Sequence, residues 1–89
     1  MNYEWDDKKC NSNLKNHKVD FSAVEGFDWQ SALIIEDNRR DYGEIRYRAM
    51  GLIGSRLHAL VFTTRGEKVR VISLRKANRR EVKSYEEKI

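Results

Sequence analysis

The sequence contains no proline, a single cysteine (Cys10) and only two histidines, and it has no long apolar run. A disulfide within the chain is therefore impossible, and a reducing compartment is expected. One thiol and two imidazoles cannot supply the usual four ligands of a structural zinc site, so we expect neither a metal nor a cofactor. No segment approaches the roughly 20 apolar residues of a membrane span, and the N-terminus lacks a basic region followed by an apolar stretch. We therefore expect a cytoplasmic protein without a signal peptide.

The length of 89 residues favours one compact domain that spans residues 1–89. Charged residues make up 36% of the chain, but the apolar residues stand in coherent blocks, such as Ala32 to Ile35 and Leu57 to Phe62. Such blocks argue against disorder, because they bury enough surface to offset the entropy lost on folding. No repeat or low-complexity segment marks a linker, so a single folded unit is expected.

Three helices are predicted from capping residues and apolar spacing. Residues Asp7 to His17 form the first, with Asp6 or Asp7 as its N-cap and a narrow apolar stripe along one side. Ser22 to Glu25 has the spacing of a capping box, which predicts a short second helix. Asn78 to Glu81 repeats that spacing and is followed by another apolar stripe, which predicts a C-terminal helix.

Five strands are predicted around these helices. Tyr3 to Trp5 alternates in polarity and fits a short edge strand, whereas the apolar run Ser31 to Glu36 fits a buried strand. Three further strands follow one another through turns that contain Gly, over Ile45 to Leu52, Leu57 to Thr64 and Lys68 to Leu74. This order predicts an α+β fold, in which two N-terminal helices and one C-terminal helix pack on an antiparallel sheet.

Charge is distributed unevenly along the chain. Residues 1–37 carry four Lys, no Arg and eight acidic residues, whereas residues 38–89 carry 14 basic residues, ten of them Arg, against six acidic ones. The planar guanidinium group of Arg matches phosphate better than the ammonium group of Lys does, so the basic part favours contact with a polyanion. Solvated faces of strands and of a helix are the alternative explanation for these charges.

The two-residue period of a strand sorts the arginines by face. In Ile45 to Leu52, Arg46 and Arg48 alternate with apolar residues and therefore share a face. In the last strand, strict alternation assigns Arg70 to one face and Arg75 to the other. We expect arginines of these two strands to line a common surface.

An ordered series of short motifs extends over nearly the whole chain: Trp5-Asp6, Asn13, His17, Val19, Phe21, Glu36-Asp37, Asp41-Tyr42-Gly43-Glu44, Arg46, Gly51, Arg70 to Ala77, Glu81 and Tyr85. In this order the motifs resemble those of the BrnT toxin family. The resemblance implies a RelE-like fold and RNA cleavage that arrests translation. It also implies neutralisation by a ribbon-helix-helix antitoxin of the BrnA type, with operator DNA bound only through the toxin–antitoxin complex.

RNA cleavage without a metal needs a base for the 2′-hydroxyl proton, an acid for the leaving 5′-oxygen and cations around the phosphate. His17 is the favoured proton shuttle because imidazole titrates near about pH 6.5, although a histidine at a helix C-terminus also favours the helix dipole. Glu44 and Arg46 form either a base with a phosphate clamp or a surface salt bridge. The predicted catalytic set is His17, Glu44, Arg46 and Arg75, and the predicted RNA-binding set is Lys9, Tyr42, Arg48, Arg70, Lys76 and Arg79.

Two other functions fit the same sequence. A nucleic-acid-binding module without catalysis would use the same arginines for phosphate contacts. A protein-interaction subunit would dock its basic part on an acidic partner. Cleavage of RNA but not of the 2′-deoxy analogue separates the enzyme from both alternatives.

Overall fold

The computed structural model describes all 89 residues as five strands, two α-helices and one 3₁₀ helix. In chain order these are β1 (Asn2–Trp5), α1 (Asp7–His17), the 3₁₀ helix (Phe21–Gly26), β2 (Leu33–Glu36), β3 (Tyr47–Ile53), β4 (Arg56–Arg65), β5 (Lys68–Lys76) and α2 (Arg79–Lys88). The α+β class is confirmed, but the second predicted helix is a 3₁₀ helix, and β2, predicted as a buried strand, is a mostly exposed edge strand. The strand ends differ from the prediction by at most two residues.

The strands form one sheet in the order β1-β5-β4-β3-β2. β2 to β5 pair antiparallel with their neighbours in sequence. β1 instead pairs parallel to β5, with Tyr3 opposite Val69 and Trp5 opposite Val71. The sheet is therefore mixed, and the prediction of a wholly antiparallel sheet is wrong at this edge. β1 and β5 are far apart in sequence, so no tight turn fixes their relative direction.

The N-terminal ends of the helices show which capping predictions hold. α1 has the predicted bounds, and the Asp6 carboxylate accepts hydrogen bonds from the backbone N–H groups of its first turn. The capping box predicted at Ser22 is wrong, because the 3₁₀ helix begins at Phe21 and Asp20 is its N-cap. This register buries Phe21 completely, and a buried Phe stabilises a fold by about 1.5–3 kcal/mol.

The main core lies on one face of the sheet, under α1 and the 3₁₀ helix. Ala49, Leu60 and Leu74 are opposite one another on β3, β4 and β5, and all three are fully buried. The buried amide of Asn13 fastens α1 to this face: its Nδ2 donates to the Leu74 carbonyl at 2.6 Å, and its Oδ1 accepts from the Leu74 N–H at 3.3 Å. β1 pairs with β5 only as far as Val71. At Leu74, the Asn13 side chain therefore makes the backbone hydrogen bonds that a neighbouring strand would otherwise make.

The opposite face of the sheet packs against α2 through a second, smaller cluster built from Leu57, Ala77 and Tyr85. The capping box predicted for this helix is confirmed. The Asn78 side chain accepts from the Glu81 N–H at 2.8 Å, and the Glu81 carboxylate accepts from the Asn78 N–H at 2.9 Å. The ten residues of α2 cover only part of this face, and a cavity remains beside the helix.

A β-bulge in β5 changes which arginines share a face. Val61 is opposite Ser73 and Phe62 is opposite Val71, so Ile72 is an extra residue on β5. Val71 and Leu74 consequently both face the main core, although strict alternation would separate them. Arg70 and Arg75 therefore lie on the same face of the sheet, which corrects their predicted assignment to opposite faces.

Candidate functional site

A cavity of about 430 Å³ opens on the face of the sheet that carries α2. Its floor comes from β2 to β5, one wall from α2 and another from the loop between β2 and β3. Five basic side chains line the cavity, against two acidic ones: Arg39, Arg46, Arg48, Arg75 and Lys88, with Asp37 and Glu81. The excess of positive charge makes this cavity an anion-binding candidate.

Arg75 and Glu81 form a bidentate ion pair in the cavity. Nη1 of Arg75 donates to Oε1 of Glu81 at 2.7 Å, and Nη2 donates to Oε2 at 2.8 Å. The pair lowers the pKa of the Glu81 carboxyl, mainly through the hydrogen bonds from Arg75, against the opposing effect of partial burial. It also raises the pKa of Arg75. Both groups therefore stay charged across the physiological pH range.

The loop between β2 and β3 is organised by the buried carboxylate of Asp37, whose side chain has no exposed surface. It accepts from Nε and Nη2 of Arg39, both at 2.8 Å, and from the Tyr42 hydroxyl at 3.1 Å. These bonds, chiefly those from Arg39, hold the pKa of Asp37 far below its ordinary value and raise that of Arg39. The backbone N–H of Asp37 also donates to the Arg46 carbonyl at 2.7 Å, which closes the base of the loop.

Arg46 lies where this loop joins β3. Its guanidinium carbon is 4.2 Å from the centre of the Tyr42 ring, a cation–π contact, and its Nε donates to Glu44 at 2.9 Å. Glu44 and Arg46 therefore form the predicted pair, although β3 begins only at Tyr47 and the pair lies in the loop. A second cation, Arg65, is 3.9 Å from the Glu44 carboxylate.

Arg48 occupies the middle of the cavity floor on β3, opposite Ile35 of β2 and Val61 of β4. Its Nε atom is buried and has no hydrogen-bond partner. A buried donor without an acceptor is rare in proteins, and it marks a place where an acceptor from a ligand would be favourable. The positive charge of Arg48 contributes to the lowered pKa of Glu81, so the two side chains interact across the cavity.

The structure brings four of the ten predicted site residues to the cavity: Tyr42, Arg46, Arg48 and Arg75. The other six lie outside its lining. Glu44 contacts Arg46 from the loop, and Arg70 is on the same face but donates to Glu4 at 2.7 Å. Lys76 and Arg79 are exposed near the start of α2, and Lys9 and His17 are exposed on α1, on the opposite face of the sheet.

Four charged residues of the cavity were absent from the predicted set: Asp37, Arg39, Glu81 and Lys88. The sequence identified Glu81 as the second residue of a capping box. That role explained its position fully, so a further contact with Arg75 was not predicted. Arg39 left no signal, because a polar loop is the ordinary place for an exposed arginine. Its role depends on the burial of Asp37, which local sequence does not reveal.

No group of three or more His, Cys, Asp or Glu side chains is arranged to hold a metal ion. No helix combines the length and the apolar character that crossing a bilayer requires.

The chain matches the model of a known protein family over most of its length. A family model described as "Ribonuclease toxin, BrnT, of type II toxin-antitoxin system" matches residues 5–81, which contain every element except most of β1 and the last seven residues of α2. The chain belongs to the BrnT family. A BrnT protein is a ribonuclease toxin, so RNA is its substrate and an antitoxin is its partner. A search of curated proteins finds no match to the chain.

Proposed function

We propose that this BrnT protein cuts RNA internally, without a metal ion, by attack of a ribose 2′-hydroxyl on the adjacent phosphate, and that the reaction takes place in the basic cavity. The 2′-oxygen forms a bond to phosphorus as the bond to the 5′-oxygen breaks. Solvent water accepts the 2′-hydroxyl proton, and the leaving 5′-oxygen takes a proton from solvent. The products are a 2′,3′-cyclic phosphate and a free 5′-hydroxyl.

The observation that carries this proposal is the buried, unpartnered Nε of Arg48 on the floor of a cavity lined by four arginines. Charge accumulates on the phosphate oxygens in the transition state, and fixed donors aimed at them supply catalysis. Arg48 and Arg75 are the proposed phosphate ligands. Arg46, held by Glu44 and Tyr42, is proposed as a third cation at the mouth of the cavity.

The proposal assigns catalysis to guanidinium groups, because no histidine lines the cavity. His58 is buried in β4, with its Nδ1 2.9 Å from the Arg56 carbonyl, and His17 is exposed on the far side of the sheet. Arg70, Lys76 and Arg79 are proposed as outlying contacts to the rest of the RNA chain. Lys9 lies on α1, on the opposite face of the sheet, so it is left out of these proposed contacts.

The test compares matched substrates. The purified protein is incubated in EDTA with a single-stranded RNA oligonucleotide and with copies that carry 2′-deoxyribose at single positions. We expect cleavage of the RNA, a 2′,3′-cyclic phosphate at the new end, and protection only at the bond that follows each deoxy position. Loss of cleavage in EDTA, or cleavage that ignores the deoxy positions, would refute this mechanism.

The partner is proposed to be a ribbon-helix-helix antitoxin of the BrnA type, and operator DNA to be bound only by the complex. The excess of cations around the cavity supports docking of an acidic segment of the antitoxin over this opening. We further propose that the fold is RelE-like and that the protein acts in the cytoplasm. Addition of the antitoxin should protect the RNA, and the toxin alone should not shift operator DNA in a gel.

A further inference from the structure

Glu81 makes two sets of contacts that no other residue of the cavity combines. Through its position in the first turn of α2 it completes the capping box with Asn78, and the same carboxylate receives both Nη groups of Arg75. Oε1 accepts from the Asn78 N–H and from Arg75, whereas Oε2 accepts from Arg75 alone. The capping box at the start of α2 therefore holds the same carboxylate that binds Arg75.

This arrangement determines the orientation of Arg75. A guanidinium group has five N–H donors in one plane, and the contacts with Glu81 use one edge of that plane. Arg75 lies near the C-terminal end of β5, so the sheet fixes its backbone, and Glu81 of α2 fixes its guanidinium group. Nη1 of Arg75 also donates to the Lys76 carbonyl at 3.4 Å, which leaves its Nε and one Nη2 hydrogen available for a phosphate in the cavity. A flexible arginine would have to be ordered by the substrate itself, which weakens binding in the transition state.

We propose that Glu81 is a positioning residue of the ribonuclease reaction, which holds the Arg75 guanidinium in the orientation that contacts the scissile phosphate. The inference rests on the proposed role of Arg75. The carboxylate acts through the arginine and does not exchange a proton with the RNA. In support, the hydrogen bonds from Arg75 lower the pKa of Glu81, so a proton is bound there too weakly for this group to protonate a leaving oxygen near neutral pH.

The test uses substitutions that separate orientation from folding. Glu81→Gln keeps one side-chain oxygen for the Asn78 N–H, since Gln also completes a capping box, but it cannot accept both Nη groups of Arg75. Glu87→Gln is the matched control, because it makes the same change of charge on an exposed residue of the same helix. The full-length variants are compared by thermal melting and by steady-state cleavage of a single-stranded RNA oligonucleotide.

We expect Glu81→Gln to lower kcat by about 10- to 100-fold with a much smaller change in KM, because misorientation of a catalytic group is felt mainly in the transition state. Glu87→Gln should leave both constants at their wild-type values. The decisive readout is the Arg75→Ala background, in which Glu81→Gln should produce less than about a twofold further loss.

Three outcomes would overturn the inference, and they are distinguishable. If Arg75→Ala cleaves RNA as fast as the wild type, the proposed role of Arg75 fails and the inference fails with it. If Arg75→Ala is impaired but Glu81→Gln is not, only the positioning role fails. If Glu81→Gln lowers kcat by the same factor with and without Arg75, the carboxylate acts independently of the arginine.

Discussion

Replacing Arg48 by Met should make the protein more stable and less active at the same time. Met keeps an unbranched apolar stem of comparable length in the cavity floor and removes the guanidinium. A buried donor without an acceptor costs about 1–3 kcal/mol, and the buried Nε of Arg48 is such a donor. Against this gain stands the loss of the favourable interaction with the Glu81 carboxylate, which is held mainly by Arg75.

The expected net effect of Arg48→Met is a gain of about 1 kcal/mol in the free energy of unfolding. For a domain of this size, that gain raises Tm by about 4–8 °C. The expected effect on cleavage is opposite: loss of one fixed donor to the transition state typically lowers kcat by about 10²–10³-fold. Differential scanning calorimetry measures the first quantity, and cleavage of an RNA oligonucleotide under single-turnover conditions measures the second.

Arg80→Met is the control, because Arg80 is exposed on α2 and does not line the cavity. It should change neither Tm nor the cleavage rate appreciably. A Tm of Arg48→Met several degrees below that of the wild type would mean that the Arg48 guanidinium is stabilised in the free protein. Unchanged cleavage by Arg48→Met would mean that the cavity floor does not contact the reacting phosphate. Either result refutes the reasoning.

Three further predictions concern other parts of the chain. Asn13→Ala removes the side-chain bonds that join α1 to Leu74 and Val19, at a cost of about 3 kcal/mol, so calorimetry should show a fall in Tm of more than about 10 °C; a fall of a few degrees would contradict this. Asp37→Asn should destabilise most above about pH 5, and the difference from the wild type should shrink as the pH falls below 3.8, the ordinary pKa of the group, because a carboxyl with a depressed pKa stabilises only while it is ionised; melts that differ equally at pH 3 and pH 7 would argue against an ionic role. His17→Ala should keep RNA cleavage within about twofold of the wild type, and a large loss in a folded variant would move the site to α1.

Elements that depend on neighbouring residues were predictable from the sequence. α1 and the α2 cap were correct, because an N-cap and its partner are at most three residues apart. The cap at Asp20 was missed for a different reason: Ser22 offered the same local chemistry. Burial of Phe21 and Val24 decided between the two registers, and burial depends on the sheet beneath them.

The parallel direction of β1 and the bulge at Ile72 were not predictable in the same way. Both result from pairing between segments that are distant in sequence or from a local break in the two-residue period. The bulge matters most for function, because it brings Arg75 to the face that carries Arg70. Strict alternation assigns Arg70 and Arg75 to opposite faces of the sheet, whereas the bulge places them on the same face.

Site residues whose positions follow from alternation along one strand were predictable. Those whose positions depend on contacts between two elements were not. Alternation alone put Arg46 and Arg48 on one face, and both line the cavity. Arg39 enters the cavity only because Asp37 is buried, and Glu81 meets Arg75 only because α2 packs back over the sheet. Such pairings depend on tertiary packing, which a single sequence does not display.

The two faces of the sheet separate stability from function. The acidic first part of the chain supplies β1, α1 and the 3₁₀ helix, and the two helices cover the main core on one face. The basic remainder supplies β3 to β5 and α2, and the opposite face keeps a cavity because α2 is short. Substitutions in the main core should therefore lower Tm without selectively affecting RNA cleavage. Substitution of Arg46 or Arg48 should instead lower cleavage at little cost to Tm, since these arginines are arranged for a ligand and contribute little to packing.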